Sequence, residues 1–364
     1  MTIRAAGREL PAFRTFGWIG FLAACAVALA VCADQGLSVA TQAMLIGVAV
    51  GAFLALALIT KALVGHEVLV YYHHEIAVLA AIGIVAWGTG APVLRHLDAT
   101  ALGLGAFLAF GRLGCLAAGC CHGRPARHGV VYDERHVACG FPGHLVGVKL
   151  LAVQAIESAA AAMLVGSGVL LLAGAPGSAF GFYIAGYAVA RFALEELRGD
   201  LQRRHWHGLS EAQWTSLLIA VGSAAVAVGG ALPHSSEHVL VAVALLCVAP
   251  LAAVWRGRDL LGPAHVREIG SRLPVPRRGL PRVVETSLGM LLSSGLAGTT
   301  EHYTLSRRAD PLSSADAERL AAVLVWLRPA ARSARLVPGA AGAYHVVVDV
   351  DHSAPNASDA ERAA

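Results

Sequence analysis

Charge is what this sequence has least of. Only 14% of its 364 residues are Asp, Glu, Lys or Arg, against about 25% in ordinary soluble domains. With 56% hydrophobic residues and a mean hydropathy of +0.62, that scarcity excludes both an ordinary soluble domain and a disordered chain. Charge of one sign is also lacking. The formal net charge is +4, from 28 Lys and Arg against 24 Asp and Glu. This is too small to argue for nucleic acid, and most basic residues are arginines at the ends of apolar runs, where lipid headgroups lie. The seven cysteines contain no CxxC, which argues against a thiol-redox motif. Length and hydropathy exclude a small disulfide-stapled domain. No internal repeat is present.

What is present is a series of long apolar runs. Eight segments approach the ~20 residues that a helix needs to cross a bilayer. They are residues 16–33, 39–64, 68–88, 98–121, 145–173, 179–197, 211–231 and 237–255. Backbone polar groups in lipid must be satisfied internally, so the expected architecture is an all-α polytopic membrane protein, a seven- to eight-helix transmembrane bundle over 1–255. Small-xxx-small pairs at Gly47 and Gly51, Gly143 and Gly147, and Gly177 and Gly181 predict close helix contacts. Arg4, Arg8 and Arg14 precede the first run, as in a signal peptide, but the run is too long for one, and an uncleaved helix is expected. Residues 256–282 hold seven arginines and four prolines and read as a linker. Beyond it the pattern predicts a small α+β soluble domain over 283–351, with a helix over Ser314–Leu327 capped by Ser314 and stopped by Pro329, and a β-rich end over Ala343–Val350. Residues 352–364 read as a flexible tail. No carboxylate–His or Ser–His arrangement stands out in this domain.

Ionisable groups inside apolar helices are costly and default to a functional hypothesis. Four places carry them. Tyr71-Tyr72-His73-His74-Glu75 offers a histidine able to take a proton near neutral pH, or else an interfacial aromatic belt. Gly111-Arg112-Leu113-Gly114, running on to Gly119, Gly123 and Arg124, joins an arginine at the end of an apolar helix to glycines that open a turn. Guanidinium forms planar bidentate bonds to phosphate, so this reads as a lipid-phosphate site, with an arginine snorkelling to the interface as the plainer alternative. Gln154 and Glu157 share a helix face, as a functional pair or as a polar link between helices. Tyr187, Arg191, Glu195 and Arg198 form one stripe in which Arg191 and Glu195 are expected to pair, around a ligand or as a structural ion pair. Cys115, Cys120, Cys121 and Cys139 lie near His122, His128, His136 and His144. Zinc-type spacing is absent, which favours small packing residues over a metal site or a disulfide to Cys139.

These residues together resemble the prolipoprotein diacylglyceryl transferase family. Gly111-Arg112-Leu113-Gly114 … Gly119 … Gly123-Arg124 is similar to its signature loop, and Tyr187-x3-Arg191-x3-Glu195-x2-Arg198 to its second arginine motif. Gln154-x2-Glu157 fits the remnant of a His-Pro-Ser/Thr-Gln-Leu-Tyr-Glu motif. Tyr72-His73 falls where the family has an aromatic residue and an essential histidine, and Gly208-Leu209-Ser210 with Gln213 fits the start of its last helix. The order agrees over roughly residues 66–230. The chain departs from the family at Cys115, usually Asn, at Cys120, often acidic, and at Leu151, Ala152 and Ile156 in the middle motif.

The resemblance implies a divergent member that moves diacylglycerol from phosphatidylglycerol to the lipobox cysteine of a lipoprotein precursor, in a bacterial cytoplasmic membrane. It implies His73 as base and Arg112 and Arg191 as catalytic phosphate clamps. Gly111, Gly114, Gly123, Arg124, Gln154, Glu157, Tyr187, Glu195 and Arg198 then line the substrate, with no metal or organic cofactor. A non-catalytic lipid-binding or transport protein on the same scaffold is the alternative. The basic residues distribute unevenly: about twelve fall on one face of an eight-helix topology and one, Arg95, on the other. The positive-inside rule then puts both termini in the cytoplasm, whereas the family places its N-terminus and signature loop outside.

Overall fold

The computed structural model describes residues 2–5, 8–65, 70–141, 145–199, 205–257, 259–279, 281–298, 300–308, 311–328 and 331–350. The chain divides into two compact units. The first comprises Met1–Phe141, Val148–Gly199 and Leu209–Pro250. The second comprises Pro142–Gly147, Asp200–Gly208 and Leu251–Ala364.

Short strands β1 (Thr2–Ala5) and β2 (Arg8–Pro11) form a hairpin ahead of α1 (Ala12–Asp34). Then come α2 (Val39–Val64), α3 (Tyr71–Gly88) and α4 (Val93–Ala118). Strand β3 (Pro125–Val131), the single turn α5 (Glu134–Val137) and β4 (Lys149–Leu150) precede α6 (Val153–Leu170) and α7 (Ser178–Leu194). The two-residue strands β5 (His205–Trp206) and β6 (Leu209–Ser210) lead to α8 (Glu211–Val228) and α9 (Ser235–Gly257).

Six of these helices, α1, α2, α4, α6, α8 and α9, are long and apolar enough to cross a membrane. The chain is therefore a multi-pass, mostly helical membrane protein. The other two long helices, α3 and α7, are the ones that carry His73, His74 and Glu75, and Tyr187 and Arg191.

Close helix contacts rest on other glycines than the small-xxx-small pairs suggest. A Cβ on Gly103 would sit 2.8 Å from the Ala24 carbonyl, and one on Gly20 3.0 Å from the Phe107 carbonyl, so α1 and α4 touch almost backbone to backbone. A Cβ on Gly105 would meet Tyr183 and Val165, both at 2.6 Å, where α4 crosses α6 and α7. Gly47 and Gly51 instead face open space. Gly177 is the left-handed residue that begins α7, and Gly181 approaches His238. Gly143 lies outside the described residues. The spacing is right for packing, but a glycine packs only when its face of the helix meets a neighbour.

The apolar runs also overstate two helices. Residues 145–152 are turn and strand, not helix, because Gly147 takes a left-handed conformation and β4 pairs with β3. The run 98–121 begins earlier and ends at Ala118, where left-handed Gly119 caps it. Arg112 consequently lies inside α4, six residues before its end. The turn opens at Gly119, not immediately after the arginine.

In the second unit α10 (Pro263–Arg272) occupies residues read from sequence as linker, its proline at a helix start where the missing N–H costs nothing. Val266 and Ile269 are buried. Strands β7 (Val283–Glu285), β8 (Met290–Ala297) and β9 (Thr300–Arg307), helix α11 (Ser314–Trp326), and β10 (Ala331–Pro338) and β11 (Tyr344–Val350) follow. The five strands form one antiparallel sheet in the order β10-β11-β9-β8-β7. Met290, Leu292, Tyr303, Leu305, Val346 and Val348 alternate onto one face and pack with Ile269, Leu320 and Leu324. The α11 cap is Ser313, whose hydroxyl accepts from the Asp316 N–H, not Ser314. Pro329 and residues 352–364 lie outside the described residues.

Candidate functional site

The start of α3, the end of α4, the starts of α6 and α8 and the end of α7 meet at one end of the helical unit. That end collects the polar residues singled out above.

Arg112 of α4 and Glu157 of α6 form a buried ion pair, Nε to Oε2 2.9 Å. The Tyr187 hydroxyl on α7 donates to the other oxygen, Oε1, at 2.9 Å. One carboxylate thus ties three helices together. Arg191 and Arg198 act on it electrostatically as well. Arg191 pairs with Glu195, four residues on and just past the end of α7, Nη2 to Oε2 2.9 Å. Its Nε and Nη1 are buried and, among the described residues, have no hydrogen-bond partner. A guanidinium held by a carboxylate at one edge, with two donors unused in a buried setting, is built to accept an anion.

The loop after α4 is pinned by backbone pairing. Gly123 and Arg198 form an antiparallel bridge, the Gly199 N–H donates to the His122 carbonyl at 3.0 Å, and the Arg124 N–H donates to the Leu197 carbonyl at 3.1 Å. On its other side the Leu151 N–H donates to the Arg124 carbonyl at 2.9 Å. Gly123 is obligatory here, since a Cβ would fall 2.3 Å from the Leu151 carbonyl oxygen. The Arg124 side chain donates Nε to the Arg198 carbonyl, 3.3 Å. Gln154 donates to the Cys120 carbonyl at 2.8 Å and to the Tyr132 hydroxyl at 3.4 Å. Both bonds position the loop, while its Oε1 is buried without a hydrogen-bond partner among the described residues.

Gly114 passes close to α1, its Cβ position 3.2 Å from Phe16 Cβ, while Gly111 faces open space. Glu195 lies in a short 3-10 turn beyond α7, and Arg198 beyond that, so the stripe read as one helix face is helix, turn and bridge.

His73 stands apart from the arginine pair. Its side chain is 44% exposed, and Nε2 lies 3.1 Å from Glu211 Oε1 at the start of α8. A carboxylate on one ring nitrogen orients an imidazole. Glu211 was missed from sequence, where an acidic first-turn residue after a Ser210–Gln213 capping box reads as helix-end electrostatics. Gln213 joins that box to the arginine motif by donating to Glu196 Oε1 at 2.8 Å.

Two more residues of the Tyr71–Glu75 stretch, which the sequence reading quoted without giving either a role, turn inward. Glu75 and His74, the neighbours of His73, are buried. Glu75 Oε1 and His74 Nε2 have no hydrogen-bond partner among the described residues. Glu75 falls near Tyr183, which stacks on Tyr187. Their signal was present as an ionisable pair next to an apolar run, but the helical phase that points them inward was not.

An apolar cavity of about 490 Å³ lies between α1, α2, α3 and α4, lined by Phe21, Leu45, Phe53, Ile82, Leu104 and Phe107 among others. Phe107 and Arg112 are five residues apart on α4, about 7.5 Å of helix rise.

The sequence model of the prolipoprotein diacylglyceryl transferase family matches residues 12–228, well over half of the chain. The protein belongs to this family. No individually curated protein matches it. Family members are transferases of lipoprotein biosynthesis, integral to the membrane. The matched span holds every residue of the cluster, whereas the five-stranded sheet lies beyond it.

Proposed function

We propose that this protein is a phosphatidylglycerol–prolipoprotein diacylglyceryl transferase of a bacterial cytoplasmic membrane. The observation that carries the reading is Arg191, paired with Glu195 yet left with two buried donors. Together with Arg112 it makes an anion site on the same helical unit as the apolar cavity, with Phe107 of the cavity wall and Arg112 on one helix, which suits a phospholipid with its phosphate at the arginines and its acyl chains among Phe107 and its neighbours.

In this mechanism His73, oriented by Glu211, takes the proton of the acceptor thiol, because the thiolate is the nucleophile. The sulfur attacks the glycerol carbon that carries the phosphate. A C–S bond forms, the C–O bond breaks, and glycerol phosphate leaves with one more negative charge. Arg112 and Arg191 stabilise that charge where water is excluded and preorganised donors act most strongly. Arg124, Glu157, Tyr187, Glu195 and Arg198 hold the two guanidiniums and the loop in place. Gly111 borders open space and Gly114 packs on α1, so neither is given a substrate contact. Gln154 acts through the loop.

The test is direct. The purified full chain is incubated with phosphatidylglycerol and a lipobox peptide. The peptide should gain the mass of a diacylglyceryl group. Retention of phosphatidylglycerol with no mass shift identifies a lipid-binding protein on the same scaffold instead.

A further inference from the structure

Cys115, Cys120 and Cys121 have no part in the reaction above, yet their three sulfur atoms all lie within 4.8 Å of one another. The spacing i, i+5, i+6 is not a zinc-motif spacing. It works because Cys115 sits in the last turn of α4, Gly119 then reverses the chain, and the reversal carries the next two thiols back over the helix end. Cys121 itself has a positive φ of 56°. A non-glycine residue in that conformation is uncommon and points to a local constraint. All three thiols are free, Cys120 is exposed, and the other two are half-buried, so the cluster is open to solvent on one side.

We propose that these cysteines form a binding site for a thiophilic d10 cation, Zn²⁺ or Cu⁺. Three thiolates around such an ion at ~2.3 Å place the sulfurs about 3.8 Å apart, within the separation found. A disulfide uses two thiols and strands the third, while a metal ion uses all three. Three protein ligands also leave a coordination position on the open side for water or an exchanging ligand, which is the arrangement of a transfer or regulatory site rather than of a closed structural one. Soft sulfur donors without a carboxylate select against Mg²⁺, Ca²⁺ and Mn²⁺.

The experiment uses the reduced full-length protein in detergent, titrated with Cd²⁺ as a spectroscopic probe. One Cd²⁺ per chain should bind, with an ultraviolet sulfur-to-metal charge-transfer band. Cys120→Ala and Cys121→Ala should each lose the band, and Cys247→Ala should keep it. Competition then assigns the ion: displacement by Zn²⁺ alone or by Cu⁺ supports the site with that metal. Failure to bind stoichiometric Cd²⁺, or an unchanged band in Cys120→Ala, overturns the proposal. So does a count of five reactive thiols out of seven before reduction, with the lost pair mapping to this cluster. Phosphatidylglycerol retention in the alanine variants confirms that they are folded. These readouts do not depend on transferase activity.

Discussion

At the scale of single residues, the site separates a buried half from an accessible one. Arg112, Glu157, Tyr187, Arg191 and Glu195 are buried, while His73 and Glu211 stand at the surface. A base reachable from outside suits an acceptor that arrives as a peptide, and buried cations suit a leaving group that starts in lipid. His73→Ala is expected to lower transfer by about 10²–10⁴-fold while phosphatidylglycerol remains bound. Glu211→Gln should give a smaller loss, since it removes the carboxylate that orients the imidazole. Wild-type transfer rates in His73→Ala would refute this mechanism. Arg112→Lys should fail nearly as badly as Arg112→Ala, because an ammonium cannot reproduce the planar fork. Arg191→Ala removes an ion-pair partner of buried Glu195 and should lower stability. Adding Glu195→Gln should recover folding, read by thermal unfolding, without recovering transfer.

At the scale of elements, the loop between α4 and α6 decides whether the buried pair can form. Three backbone segments converge on Gly123 with no space for a side chain. Gly123→Ala should therefore push Leu151 and the start of α6 away from Arg112, costing about 1–3 kcal/mol and lowering lipid retention together with transfer. A variant that unfolds like wild type and keeps its lipid would show that the loop relaxes freely. The Ser210–Gln213 box at the start of α8 works similarly, since it fixes the helix end that presents Glu211. Ser210→Ala should cost about 1 kcal/mol and lower transfer at saturating lipid more than it lowers lipid binding.

At the scale of the whole molecule, the family match ends at residue 228, and the second unit has its own buried core. Truncation after residue 258 is expected to leave a membrane-inserted bundle that still retains phosphatidylglycerol. Loss of membrane accumulation would show that residues beyond 258 are needed for the bundle. Orientation is a separate question, because the charge rule and the family disagree. Arg4, Arg8, Arg256 and Arg258 lie outside the motifs that resemble the family's, so phosphate binding does not explain them. We expect the C-terminal sheet in the cytoplasm. A reporter fused after Val350 should be active only there, and activity confined to the periplasm would reverse the topology.

The sequence by itself determined the class of molecule. Apolar runs of bilayer length fix helices, and six of them satisfy length and hydropathy in the structure. The residues too polar for lipid were visible for the same reason, since a charge among Leu, Ala and Val has no cheap explanation. Partnering was decided only by the tertiary structure. Glu157 was legible as a neighbour of Gln154, but its bond to Arg112 depends on how α4 and α6 are phased. Glu211 carries no signal of its own along the chain, and only the packing of α3 brings His73 to it. The three sulfurs came together because Gly119 turns the chain back, an effect of one left-handed residue that linear spacing does not record. Periodicity and cost are local and can be read along a chain, whereas the meeting of side chains depends on helix rotation and close approach, which distant residues such as Gly103 and Gly105 set.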